Sequence, residues 1–195
     1  DYATAFVQVC VLDPAGRVLA NGRCDNSWVA LDAFVRRFGR RIRAGIEACT
    51  GAANLTDELL QQAGWSIDLA HPGYVQRMKQ SPDKSDFTDA RMLADLVRVG
   101  YLPRVWLAPL AVRELRELVR WRQDRVEQRR ALKLKIGAKL RDQRVIEPDL
   151  TRWTLAWRAW LKSVKLPEQT RWVVDQICSE LAQTERQVAA AEKRL

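Results

Sequence analysis

Apolar and polar residues alternate over "TAFVQVCVLD" and again over "RVLANGRC", with the turn residues "PAG" between them. A period of two on both sides of a turn predicts a β-hairpin with arms at residues 4–12 and 17–23. The period then lengthens. Ser27 can cap a helix over "WVALDAFVRRFG" that ends at Gly39, "RIRAGIEA" reads as a strand, "NLTDELLQQAG" as a helix closed by Gly64, and "WSIDLA" as a further strand. Strand, helix, strand, helix, strand implies an α/β domain whose sheet has a parallel component.

The stretch "DKSDFTDARMLADLV", residues 83–97, opens another helix. Asp86, Asp89, Leu93 and Leu96 recur at steps of three and four, so they share a face with Val97. Two carboxylates thus stand on the stripe that the leucines turn toward a core, where an unpaired charge is costly. Two readings are open. Acids in a first turn oppose the helix dipole for roughly 0.3–1 kcal/mol each, with Asp83 or Ser85 as N-cap. Alternatively the pair holds a cation, which requires further carboxylates elsewhere in the chain.

From Pro109 onward the pattern is helical only. Residues 110–143 predict one long helix, softly broken at Gly137, residues 148–163 a second, and the segment behind Pro167 a third. In the third, Val174, Ile177, Leu181, Thr184, Val188, Ala191 and Leu195 form a heptad seam. A coiled coil between copies and an antiparallel hairpin within one chain both satisfy it. Trp153, Trp157 and Trp160 recur at i, i+4 and i+7, a spacing that favours a helix–helix interface over stacking on unpaired bases.

Composition narrows the function classes. The longest apolar runs fall far short of the ~18–20 residues that span a bilayer, so no membrane role is expected, and the default is a soluble intracellular protein. Cys10, Cys24, Cys49 and Cys178 form no C-x-x-C pair, and with His71 the only histidine no zinc site can be assembled. Cys10 and Cys49 are expected as small buried hydrophobes, and His71 in a turn. Charge is unevenly spread. Residues 1–100 hold 12 basic and 12 acidic side chains, whereas residues 101–195 hold 21 and 12 and so carry the whole net charge of +9. Within residues 113–144 there are 12 basic and 5 acidic residues, a net of +7 that attracts polyanions. Its candidate nucleic-acid contacts are Arg120, Arg122, Arg125, Arg129, Arg130, Lys133, Lys135 and Lys139, and Lys84 is a further candidate for a phosphate.

Further carboxylates do exist. Glu47, in "AGIEACTG", ends an apolar strand at the strand-to-helix turn where open α/β sheets place ligands. Asp1 precedes the hairpin. The order is then Asp, Glu, Asp, Asp. "GIEACTG", "GWSIDLAHPGYV" and "DKSDFTDARMLADLVRVGYLPRVWLAP" together resemble the N-terminal domain of the Asp-Glu-Asp-Asp (DEDD) transposases of the insertion-sequence 110 group, which includes the pilin-gene inverting recombinase. The family shows a strand-end "IE-A-TG", an "NP"-type turn where this chain has His71-Pro72, and "K-[ST]-D-x-x-D-A" opening a helix, matched here by Lys84, Ser85, Asp86, Asp89 and Ala90.

The resemblance implies an RNase H-like fold of the RuvC type over residues 1–108, with a mixed sheet and flanking helices, followed by a basic coiled-coil arm over residues 109–195. It implies Asp1, Glu47, Asp86 and Asp89 as catalytic ligands of Mg²⁺ or Mn²⁺, DNA as substrate, an element-encoded guide RNA as partner, and a cytoplasmic, nucleoid-associated location in a bacterium; the heptad seam adds the expectation of a homo-oligomer joined through the helical arm. The apolar strand that precedes the first aspartate in the family is absent, so native residues are expected upstream of Asp1. The family's C-terminal serine-bearing domain has no counterpart here, and strand exchange is not expected of this chain alone. A metal-dependent junction endonuclease, or a non-catalytic nucleic-acid-binding coiled-coil module whose acids are helix caps, are the alternatives.

Overall fold

The computed structural model describes residues 5–78 and 85–195, which divide into two compact units, residues 1–107 and 108–195. Among the described residues there are five strands and seven helices.

In the first unit, β1 (Phe6–Leu12) pairs antiparallel with β2 (Val18–Asp25). Their turn is held by Asp13, whose backbone N–H donates to Arg17 O at 3.0 Å and whose carboxylate accepts from the Arg17 N–H at 2.9 Å, while Gly16 takes φ 85°. Helix α1 (Trp28–Arg36) starts at Ser27, whose hydroxyl accepts from the Ala30 N–H at 3.2 Å. Strand β3 (Arg43–Glu47), helix α2 (Ala52–Gln62) and strand β4 (Ser66–Ala70) make the expected crossover, and β3 and β4 are parallel. The short β5 (Arg104–Val105) adds an antiparallel edge, giving a second sheet of order β3-β4-β5.

Alternation along the strands sorts side chains between two layers. Val7, Val9, Val11, Ala44, Ile46 and Ile67 pack under α1 and α2 with Leu31, Val35, Leu59 and Trp65. On the opposite face, α4 (Asp86–Arg98) contributes Met92, Leu93, Leu96 and the buried Val97 to a cluster with Ala70, Val75 and Leu102. Gly45 lets α4 approach β3, since a Cβ there would lie 2.6 Å from Val97 Cγ2.

Some expectations need correction. "HPGYV" is not merely a turn: Pro72 is the first residue of α3 (Pro72–Met78), a position where its missing N–H costs nothing, and His71 stands outside with its ring on Tyr74, centroids 4.7 Å apart. Cys10 is half-buried, but Cys49 lies past the end of β3 and is exposed; all four cysteines are free thiols. Asp86 is exposed rather than inward: it shares the face of Val97, about three turns away, but stands at the first residue of the helix, beyond the buried cluster that α4 joins only from Met92 onward.

The second unit is built on α5 (Leu110–Asp142), α6 (Leu155–Ser163) and α7 (Glu168–Glu192). Helix α5 runs unbroken through Gly137, because Ile136 and Leu140 on either side are fully buried and tertiary packing outweighs the low helix propensity of one glycine. Arg122 pairs with Glu192 and Lys133 with Glu185, separations of 70 and 52 residues. In a parallel pair these would be equal, and a mismatch of this size would strand the partners about 27 Å apart at ~1.5 Å per residue, so α5 and α7 run antiparallel. Val174, Leu181, Thr184, Val188 and Ala191 are buried, and Val174 and Leu181 share one cluster with Leu132, Ile136, Leu140, Trp157 and Leu161. The heptad seam is therefore covered within the chain by α5, and self-association through it loses its basis. Of the tryptophans, Trp157 is core and Trp160 packs against it, as an interface stripe requires; Trp153 precedes the N-cap Thr154 and is not part of the helix.

Candidate metal and nucleic-acid sites

Glu47 is the last residue of β3 and is half-buried. Past it, the Ala48 N–H donates to Ala70 O at 2.9 Å and Gly51 takes φ 78° to enter α2. At the start of α4, the Ser85 hydroxyl accepts from the Thr88 N–H at 3.2 Å, and the Phe87 carbonyl accepts from Asn21 Nδ2 at 3.0 Å, which ties the helix opening to β2. Asp86 is the first helical residue; Asp89, one turn on, is half-buried. Among the described residues, Glu47 and Asp86 have no hydrogen-bond or ion-pair partner, whereas Asp89 is engaged.

A cleft of about 670 Å³ lies between β1 and β3, with α4 along it. Every residue of β1 from Val7 to Leu12 and every residue of β3 borders it. A strand that offers its face to a cavity contributes every second residue; consecutive residues mean that the cleft runs along strand edges. The pairing agrees, since among the described strands β1 pairs only with β2, and β3 only with β4. Glu47 borders this cleft, and so does Ala90, which is one residue past Asp89 and one turn past Asp86. Of the three acids Glu47 alone borders the cleft, Asp86 and Asp89 lie on the helix end next to it, and among the described residues no group of three or more Asp, Glu, His or Cys side chains is gathered closely enough to hold a metal. Asp1 and Lys84 lie outside the described residues.

The basic face divides into engaged and available cations. Arg122 is paired with Glu192, and Arg125 sits 5.7 Å from the Trp121 ring centroid. Arg120, Arg130, Lys135 and Lys139 are exposed. Arg129, Arg130 and Lys133 share a concavity of about 360 Å³ with Val126, Leu134, Arg152 and Trp153. Arg152 is not among the contacts expected from the sequence, and Trp153 is expected there at a helix–helix interface. The spacing 126, 129, 130, 133 marks one helix face, but nothing local links it to a residue about twenty positions on. Glu147 anchors this corner: it accepts from Arg152 Nε at 2.8 Å and from Trp157 Nε1 at 3.2 Å. The Arg152 bonds hold its carboxyl below the usual value despite partial burial, and Trp157 adds to the effect.

No described helix is long and apolar enough to cross a membrane. The transposase family DEDD_Tnp_IS110 matches residues 1–143. A protein of Sinorhizobium fredii (strain NBRC 101917 / NGR234) named "Putative transposase y4qE" is 30% identical over 177 residues, covering 83% of this chain. The chain spans 45% of that relative's length. The family match takes in Glu47, the whole opening of α4 with Asp86 and Asp89, and α5 to its end, so the elements around the cleft and the basic helix fall within one matched segment. The chain belongs to the DEDD transposases of the insertion-sequence 110 group.

Proposed function

We propose that this chain is the N-terminal part of a transposase that cuts and joins DNA at specific sites, with an RNase H-like, RuvC-type domain dependent on Mg²⁺ or Mn²⁺ over residues 1–108 and a basic arm with coiled-coil packing that binds nucleic acid over residues 109–195. The observation that carries the reading is the shared cleft: Glu47 and α4 from Ala90 onward, directly after Asp89, border one space between two open strand edges. A strand laid along both edges would join the described strands in the order β2-β1-x-β3-β4-β5, the mixed sheet that an RNase H-like domain calls for.

The donor set fits a hard divalent cation. Asp1, Glu47, Asp86 and Asp89 offer oxygen only, and Glu47 and Asp86 are not committed to other described partners. A divalent metal pair bound there would stabilise the attacking and leaving oxygens of a phosphodiester. The carboxylates would hold the metal, and the arm would hold the strand by its phosphates. Use of an element-encoded RNA, which the resemblance in sequence suggests, would belong to the intact enzyme.

A second reading has its own support. Ser85 caps α4, and Asp86 and Asp89 then suit the positive end of the helix dipole with no metal at all. Calorimetric titration of Mn²⁺ into the wild type, Glu47→Gln and Asp89→Ala separates the two. The metal reading expects binding that both substitutions weaken; identical titrations would leave the acids as helix-end charges. Nucleic-acid binding is tested separately by the salt dependence of affinity. The log–log slope of about −0.9 per neutralised phosphate on B-DNA should become shallower in Arg129→Glu/Arg130→Glu.

A further inference from the structure

We propose that the concavity beside α5 holds one unpaired nucleotide, with its base stacked on Trp153 and its phosphate against Arg129, Arg130 and Arg152. The proposal rests on the nucleic-acid reading of the arm and adds a built subsite to it.

The backbone at Trp153 is the first observation. Its φ of 73° is one of two positive values among the described non-glycine residues. The left-handed region is unfavourable for a bulky side chain, and such residues persist only where their surroundings over-determine them. Here they do: Arg158 Nε donates to the Trp153 carbonyl at 3.0 Å while Arg158 Nη2 grips both oxygens of Glu185 at 2.9 Å, and the indole lies against the buried Trp157, centroids 4.6 Å apart. A glycine would make the same turn without strain, so what the position supplies is the ring itself. That ring is only half-buried. It packs at the margin of the core and lines the concavity instead of filling the interior.

Charge is the second. Four cations surround the space. Arg152 is answered by Glu147, and Lys133 by Glu185, whose oxygen is 3.8 Å away and is shared with Arg158. Arg129 and Arg130 have no carboxylate partner among the described residues, which leaves an unneutralised pair beside an aromatic face. Volume is the third: about 360 Å³ is within the ordinary range for a small-ligand site. Lys133 Nζ lies 5.0 Å from the Trp153 ring centroid on a flexible stem. A base can take its place over the ring while the ammonium turns to the phosphate. A paired base has both faces covered by its neighbours in the stack, so the subsite selects single-stranded or bulged nucleotides.

Fluorescence anisotropy with labelled oligonucleotides of equal length tests this on the full 195-residue chain, using oligo-dT, oligo-rU, an abasic strand and a duplex. The wild type should bind a base-bearing strand about tenfold more tightly than the abasic one. Trp153→Gly, which suits the backbone, should abolish that preference while leaving duplex affinity and the helical circular-dichroism spectrum in place. Trp153→Leu, which keeps apolar bulk without a π face, should lose the preference likewise, and Trp153→Phe should retain it. The dT and rU arms show whether DNA or RNA is the source. Equal binding of abasic and base-bearing strands by the wild type, or a preference that survives both Gly and Leu, overturns the subsite. Failure of the wild type to bind any strand or the duplex would overturn the nucleic-acid reading itself.

Discussion

Replacing Gly45 by alanine should loosen the contact that sets α4 against β3. The new methyl would lie 2.6 Å from Val97 Cγ2 and 3.1 Å from Leu102 Cδ2. Carbon atoms rest at about 3.5–4.0 Å, so one wall must retreat by about 1 Å. Val97 is buried and β-branched, with one strongly preferred rotamer in a helix, and cannot swing aside; the helix must move. Overpacking of this kind costs about 1–3 kcal/mol, while alanine regains about 0.5–1 kcal/mol by losing less backbone freedom than glycine on folding. The balance is a net loss of about 1–2 kcal/mol. Val97→Ala alone removes two methyl groups, costing about 1.5 kcal/mol or more, yet it opens the space that the new methyl needs. Urea unfolding of the parent, both single variants and the double variant closes a cycle, and the double variant should be at least about 1 kcal/mol more stable than additivity allows. On the metal reading, the same retreat moves Asp86 and Asp89 relative to Glu47, so Mn²⁺ affinity should fall in Gly45→Ala and recover in the double variant. Additive energies, with Gly45→Ala as stable as the parent, would refute the close approach.

The second unit should lose stability in acid. Arg152 holds the Glu147 carboxyl below its ordinary value of 4.5, so its contribution is complete above that pH and disappears as pH falls through the lowered folded value. Melting curves of Glu147→Gln should be flatter than wild type in that window, and parallel curves would mean that the pair contributes nothing. Leu181→Asp places a charge at a position 3% exposed and should unfold the α5–α7 pair rather than split an oligomer. Circular dichroism with light scattering checks it, and a folded monomer from an associating parent would show that the seam faces another copy. Ser85→Ala should cost about 1 kcal/mol and speed amide exchange at Thr88, whereas unchanged exchange would mean that the hydroxyl is not the cap.

Local signals were sufficient for most elements. Period-two alternation marked β1 and β2, Ser27 and Ser85 announced helix starts through hydroxyls placed three residues before an unsatisfied N–H, and Pro109 and Pro167 stand as N-caps of the long helices. These depend on atoms within one turn of chain, which is why the sequence alone could place them. The Asp-Glu-Asp-Asp order was likewise legible, because the motifs lie in short stretches. Tertiary structure decided the rest. Gly137 stays helical because Ile136 and Leu140 are buried beside it, and the seam from Val174 to Ala191 meets α5 of the same chain because the link between the two helices returns the chain antiparallel. Asp86 is exposed because the buried cluster on its face of α4 begins only at Met92, and an i, i+3, i+4 pattern marks a face without saying how far along it the core extends. Trp153 continued the spacing of a helical stripe and yet sits at φ 73°, outside the helix and above the basic stripe of α5. That conformation is enforced by Arg158 and Glu185, the latter more than thirty residues further along, and no local propensity encodes a backbone held from such a distance.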